Sequence, residues 1–288
     1  MITEAAPAKV NLYLHIGAVR TDGLHDLASL FVFTDDGDII HVENADQLSL
    51  NVTGPFAGAL NDSPPEQNLV WKAAALLKSE YAVPGGAAIT LEKNLPVAAG
   101  IGGGSADAAA ALRALVRLWK LDIPEETLAR LAFRLGADVP ACLSRTPVNV
   151  SGAGEVLSPG PALAPLWICL VNPGVAMPTG PVFRAFDTAN PSPPAPVLAT
   201  ITGATCNAAA ELLRQTRNDL EPIACAIAPE VKAVLAFLAK RPGALGARMS
   251  GSGATCFALF SSSAGAKRAS VSARARGWWA LASSLCVG

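Results

Sequence analysis

Residues 100–115 read GIGGGSADAAAALRAL, and this stretch restricts the chain more than any other. Alanine is the best helix former and glycine one of the worst, so the composition shift predicts a tight turn feeding a helix over 105–119. A helix N-terminus leaves backbone N–H groups unpaired and carries partial positive charge. Glycines let the chain turn sharply and let an anion approach closely. A glycine run at a helix start is therefore a ready phosphate cradle. Two familiar versions are excluded. No Gly-Lys-Ser/Thr ending follows, and Ser105 stands where a dinucleotide-binding turn has its third glycine. A ligand-free turn is the bland alternative. Ser105 weighs against it, because a hydroxyl there can cap the helix or reach a metal-bound phosphate.

The chain has 288 residues, which suggests about two domains. At this length roughly 75% of the unfolded surface is buried on folding, so no staples are needed. Hydrophobic residues make up 51% and charged ones 16%, with a net charge of −1 and no basic run. Nucleic acid and anionic membranes are therefore not expected as partners. Nothing approaches a membrane span of about 20 apolar residues, and the opening MITEAAPAKVNLYLHIG does not read as an export signal. The six cysteines are scattered without CxxC spacing, so they are expected as buried small hydrophobes in a reducing cytoplasm. With three histidines, a His/Cys metal site is not expected.

PAKVNLYLHIG (7–17) alternates cleanly. Val10, Leu12, Leu14 and Ile16 fall on one face and Lys9, Asn11, Tyr13 and His15 on the other, as in a half-buried strand. Further strands are expected at 27–33, 38–43, 47–52, 87–92 and 166–171. Helices are expected at 68–81, 124–135, 206–217, 229–241 and 264–276, and a last strand at 278–282. Asp122 with Glu125 forms a capping pattern ahead of the 124–135 helix, Pro124 suits an early position and Gly136 follows the last turn. NPSPPAP (190–196) reads as a surface loop. The turn-rich SGAGEVLSPGPALAP (151–165) reads as a boundary between domains at 1–155 and 156–288. Strands and helices mix without regular βαβ alternation, which argues for α+β. Lys267, Arg268, Arg274 and Arg276 read as a solvated basic face, and Trp278 and Trp279 as packing residues.

Two more stretches carry chemistry. GADVP (136–140) sets one carboxylate, Asp138, just past an expected helix C-terminus, where the dipole disfavours ionisation. MSGSGA (249–254) is a second small-residue loop, as readable as a turn as a site. Together, PAKVNLYLHI, LPVAAGIGGGSADAAAAL, GADVP and MSGSGATCFALF resemble the three-motif pattern of the GHMP small-molecule kinases. The likeness runs over nearly the whole chain. It implies a two-domain GHMP kinase fold, with a ribosomal-S5-like ATP domain and a ferredoxin-like C-terminal domain. APAKVNLYLHIGAVRTDGLHDL, NLVWKAA and NDLEPIA add a closer likeness to a branch acting on a small cytidine diphosphate substrate.

By matching position, the resemblance makes Lys9 and Asp138 the catalytic pair, with Asp138 accepting a hydroxyl proton and Lys9 steadying charge. It implies ATP and Mg²⁺, with Gly100, Gly102, Gly103, Gly104 and Ser105 gripping phosphate and Asn68 and the Lys93–Pro96 segment near the adenine. Asn11, His25, Thr179 and Phe183 fall at substrate positions, Phe183 as an aromatic stacking on the base. Two positions depart from the pattern: Leu24 replaces an aromatic before His25, and Ala106 a second serine. The resemblance carries with it a cytoplasmic monomer or weak homodimer. Another GHMP kinase of homoserine or mevalonate type, a decarboxylase of the same superfamily and a non-catalytic ligand sensor stay open as alternatives.

Overall fold

A computed structural model describes residues 1–60, 63–201 and 203–286. Among them run ten strands and nine α-helices, an α+β mixture as the sequence implies. The backbone forms two compact units that do not follow chain order. One comprises Met1–Lys9, Asp36–Val97 and Gly102–Arg145, and the other Val10–Asp35, Ala98–Ile101 and everything from Thr146 on. Strands β1 (Ile2–Val19) and β2 (His25–Ala45) each contribute residues to both.

In the first unit, β2 pairs antiparallel with β4 (Gly86–Glu92), Ile39 opposite Glu92 and Ala45 opposite Gly86. Strand β3 (Ser49–Thr53) joins β4 in parallel. The same unit holds α1 (Leu69–Glu80), α2 (Gly103–Leu118), α3 (Glu125–Leu135) and α4 (Val139–Ser144), which pack on one another. The alanine run explains how α2 packs. Ala106 and Ala108–Ala111 are all buried, and their small side chains let α1 and α4 come close to the helix. Fully buried Leu77, Leu91 and Leu112 each contribute roughly 1.5–3 kcal/mol in this core.

Helix starts differ from the expected ones in instructive ways. Helix α2 begins two residues early, so its glycines belong to the helix itself, and Gly102 is its N-cap with φ 61°. Ser105 is thus the third helical residue and not a cap. Helix α3 starts after Pro124 with no side-chain cap, so the Asp122 pattern is not used. Asn68, by contrast, caps α1 by accepting from the Val70 amide.

In the second unit, β10 (Trp279–Ser284), β7 (Trp167–Asn172), β9 (Cys256–Phe260) and β8 (Ala244–Met249) form an antiparallel four-stranded sheet in that order. Helices α5 (Thr179–Ala189), α6 (Cys206–Gln215), α7 (Glu221–Ile227), α8 (Pro229–Ala239) and α9 (Ser263–Arg274) complete it. Leu14, Val171, Phe186, Leu220, Val231 and Phe237 share its core. Strands β5 (Val148–Ser151) and β6 (Val156–Pro159) extend β2 from Ser29–Phe31, so the turn-rich 151–165 stretch holds a strand.

Strand β1 is buried on both faces rather than half-buried. Tyr13 is fully buried and His15 nearly so. The segment just after the proline-rich stretch explains this: the Tyr13 hydroxyl accepts from the Ala199 amide at 3.0 Å, and His15 Nδ1 meets the Val197 carbonyl at 2.9 Å. The late basic face also does more than meet solvent. Arg274 donates to the Ala280 carbonyl, and Arg276 lies over the rings of Phe237 and Trp278. Trp278 packs edge-on against Phe237. The six cysteines are free; Cys142, Cys169 and Cys256 are buried as expected, whereas Cys206, Cys225 and Cys286 are only partly buried.

Candidate active site

In the first unit, Lys9 is nearly buried at the end of that unit's share of β1, and its ammonium lies 3.0 Å from Asp138 Oδ2. The Asp138 side chain is 36% exposed, so the carboxylate is held from one side and open on the other. It sits at the N-cap position of α4, just after α3 has ended at Leu135. The dipole expectation is thereby corrected: the nearest helix end is an N-terminus, and the nearest formal charge is Lys9.

Arg113 ties this arrangement together from α2. Its guanidinium donates to the Cys142 carbonyl at the end of α4, to the Ala5 carbonyl of β1 and to the Glu4 carboxylate, which also pairs with Arg117. The strand bearing Lys9 and the helix headed by Asp138 are thus fixed to one side chain. Burial pushes the nearby Cys142 thiol up to about 12, with the Asp138 charge adding to the effect, so this cysteine is inert.

The glycine turn is shaped around two lysines. The Lys9 stem crosses Gly102 so closely that a Cβ there would lie 2.9 Å from Lys9 Cε. At Gly103 a Cβ would lie 3.0 Å from Lys93 Nζ. The Ala106 amide closes the first helical bond to the Gly102 carbonyl, which leaves Gly103, Gly104 and Ser105 at the positions whose amides lack helical partners. Those amides and the adjacent Lys9 suit an anion.

Beneath this turn lies a cluster that the motifs did not reveal. Lys93 forms ion pairs with Asp38 and, at 2.6 Å, with Asp107, all three nearly or fully buried. Burial opposes the Lys93 charge, yet the two carboxylates hold its ammonium above the ordinary lysine range. Asp107 is pushed up to about 8, chiefly by burial, against the pull of Lys93 and with the help of Asp38. One ammonium faces two carboxylates, and the surplus falls on Asp107, whose Oδ1 has no hydrogen-bond partner. Asp38 also accepts from the Asn94 and Leu95 amides at 2.5 and 2.8 Å, fixing the turn that leads to Pro96. Asn68 lines a cavity of about 390 Å³ with Leu50, Val52, Leu60 and Pro65.

In the second unit, Gly100 is pressed against the other small-residue loop. With φ 75°, a Cβ there would meet the Ser250 carbonyl at 2.5 Å and the Gly253 amide at 2.8 Å. Ser250 Oγ donates to the Gly100 carbonyl and accepts from the Asn11 amide. MSGSGA therefore acts here as a brace, itself held by Asn218, which donates to the Met249 and Gly251 carbonyls. The Asn11 side chain is buried and donates to Ser29 Oγ at 2.9 Å. Thr179 Oγ1 lies 3.0 Å from Ser252 Oγ.

His25 and Phe183 are brought together, with ring centroids 5.3 Å apart and planes tilted by 38°. His25 Nδ1 meets the Gly17 carbonyl at 3.1 Å, and Nε2 lies 3.2 Å from Asp187 Oδ1. Leu24 beside it is 54% exposed. Asp187 was missed in the sequence, although it follows Phe183 by four residues and so shares its helix face. Among the described residues, no three His, Cys, Asp or Glu side chains group to hold a metal ion. No helix among them is long and apolar enough to cross a membrane.

Two family models match the sequence: the GHMP kinases N terminal domain at residues 68–146 and the GHMP kinases C terminal at 204–277. A 4-diphosphocytidyl-2-C-methyl-D-erythritol kinase of Paramagnetospirillum magneticum is 50% identical over 280 residues, covering 95% of each chain. The protein of that name in Hyphomonas neptunium is also 50% identical, covering 97% of this chain and 95% of the relative. A crystal structure of a 4-(cytidine 5'-diphospho)-2C-methyl-D-erythritol kinase superposes with TM-score 0.80 at 35% identity, covering 100% of both chains. A homoserine kinase structure from Cytophaga hutchinsonii shares the fold, with TM-score 0.69 at 20% identity over 99% of this chain and 94% of that one.

Proposed function

This chain belongs to the GHMP kinase family, and on that premise we propose that it transfers the γ-phosphoryl group of ATP to the 2-hydroxyl of 4-diphosphocytidyl-2-C-methyl-D-erythritol, a step toward isoprenoid precursors. The observation that carries the reading is the Lys9–Asp138 pair, 3.0 Å apart beside Gly102 with the carboxylate partly open. Relatives at about half identity over nearly the full chain supply the substrate.

Phosphoryl transfer depends on positioning and charge stabilisation, with little covalent work for the protein. The acceptor hydroxyl gives its proton to Asp138 as its oxygen bonds to the γ-phosphorus. The bond from that phosphorus to the bridging oxygen breaks, and its electron pair leaves with ADP. The Lys9 ammonium balances charge on the carboxylate and the reacting oxygens. Backbone amides of Gly103, Gly104 and Ser105 receive phosphate oxygens, Gly102 lets Lys9 pass, and Gly100 sets the turn. Asn68 and Pro96 flank the adenine. Asn11, His25, Thr179 and Phe183 serve the cytidine diphosphate substrate. Mg²⁺ arrives with ATP as part of that substrate, and no protein ligand is assigned to it.

The same reading takes residues 1–155 as the nucleotide part and 156–288 as the substrate part, in a cytoplasmic monomer or weak homodimer. The test is ADP release by the purified protein from ATP with the cytidyl alcohol, homoserine or mevalonate as acceptor. Turnover of the cytidyl compound is expected. Preference for homoserine or mevalonate, or no turnover of any, overturns the reading.

A further inference from the structure

We propose that Asp107 governs how tightly the nucleotide is held: its carboxyl must carry a proton for phosphate to seat fully at the head of α2. This rests on the reading that the Gly103, Gly104 and Ser105 amides receive phosphate oxygens, and deepens it by coupling that grip to pH. Asp107 touches no substrate. It acts as a positioning residue, through the charge it places under the turn.

Asp107 lies four residues beyond Gly103 on α2, about 6 Å along the axis. Side chains on a helix lean toward its N-terminus, which carries this carboxyl back under the turn. Lys93 marks the position: its Nζ is 2.6 Å from Asp107 Oδ2 and would lie 3.0 Å from a Cβ on Gly103. Only the backbone of that turn stands between a phosphate on its outer side and the carboxyl on its inner side.

The charges around the carboxyl do not balance. Asp38 comes from β2 and Lys93 from the residue after β4, which sets two acids against one ammonium. Cys142 faces the group from α4 as a neutral thiol. Lys9 of β1 crosses Gly102 on its way to Asp138 and is already paired. The buried residues of α1 and α3 are apolar. The surplus falls on Asp107, whose Oδ1 is buried without a partner. A proton there cancels it. Without that proton, a net negative charge sits where water cannot screen it, directly behind the amides that must attract an anion. Charge on Asp107 and phosphate at the turn therefore oppose one another, and by reciprocity a bound nucleotide helps Asp107 keep its proton. Burial pushes Asp107 up to about 8, against the pull of Lys93 and with the help of Asp38, so the opposition sets in as pH rises through that value.

The experiment measures ADP affinity by titration calorimetry at about pH 7 and about pH 9 in the wild type and Asp107→Asn, with Tm for each. It also measures the protons taken up on binding at about pH 8, from the heats in two buffers of different ionisation enthalpy. A tenfold preference of bound phosphate for the protonated carboxyl makes wild-type affinity fall about fivefold between those pH values, beyond any change in Asp107→Asn. The asparagine keeps the shape and is uncharged at every pH, so its profile carries only the other groups. The wild type takes up a fraction of a proton that the variant does not. Parallel profiles in the two folded proteins overturn the proposal. Should Asp107→Asn fail to fold, the wild type decides alone, and no proton uptake at about pH 8 overturns it. A wild type that binds ADP at neither pH overturns the underlying nucleotide reading instead.

Discussion

Two lysine–carboxylate groups flank the same glycine turn in the first unit and are built to opposite ends. Lys9 meets one carboxylate, Asp138, which is 36% exposed. Lys93 meets two, Asp38 and Asp107, with side-chain exposures of 0% and 4%. The open pair leaves a carboxylate reachable by an acceptor alcohol. The sealed group has no face left for a substrate and instead fastens a strand end, a turn and the first turn of α2. Exposure of the acid, rather than the presence of an ion pair, separates the group that can act from the group that can only hold.

Removing the acid on each side tests that distinction. Asp138→Asn should slow turnover by about 10²–10⁴, roughly 3–5.5 kcal/mol of barrier, with little loss of stability. Steady-state rates beside a melting curve check both halves, and near-normal turnover would break the comparison. Lys93→Met should do the reverse. It leaves Asp38 and Asp107 buried without a cation, at a cost of about 3–5 kcal/mol in folding free energy measured by denaturant unfolding.

Smaller effects sharpen the picture. Gly102→Ala forces a side chain into a left-handed position, costing about 1–2 kcal/mol, and drives a methyl group against the Lys9 stem. Its kcat should fall by more than its stability loss explains, because Lys9 is displaced from Asp138. A further test lies in pH dependence. Asp107 keeps its proton up to about pH 8 in the folded protein, against an ordinary value of 3.8. Between those values the folded state binds more protons than the unfolded one, so this group's contribution is complete below about pH 4 and lost as pH rises through 8. The wild-type Tm should therefore decline across that window more steeply than that of Asp107→Asn. Parallel slopes would remove Asp107 from the account.

Local patterns carried far in the sequence. The alternation at 7–17 marked β1, the glycine-to-alanine change marked α2, and the quoted motifs brought out Lys9 and Asp138, which lie 3.0 Å apart. What stayed hidden depends on distant partners. Asp38, Lys93 and Asp107 are spread over 70 positions, and nothing in their neighbours announces that they converge. The burial of Tyr13 and His15 needed the segment around Val197–Ala199 to cover them. The start of α4 at Val139 was missed because a six-residue helix opening on Val-Pro has too little periodicity to stand out, and that start puts Asp138 at an N-cap position.

Arg113 has a consequence that reaches past its own position. Because one guanidinium grips both the strand of Lys9 and the helix headed by Asp138, the spacing of these two side chains depends on a third residue. A lineage that traded Glu4 or Arg113 for something milder would keep every motif a sequence search recognises, yet inherit a misaligned machine.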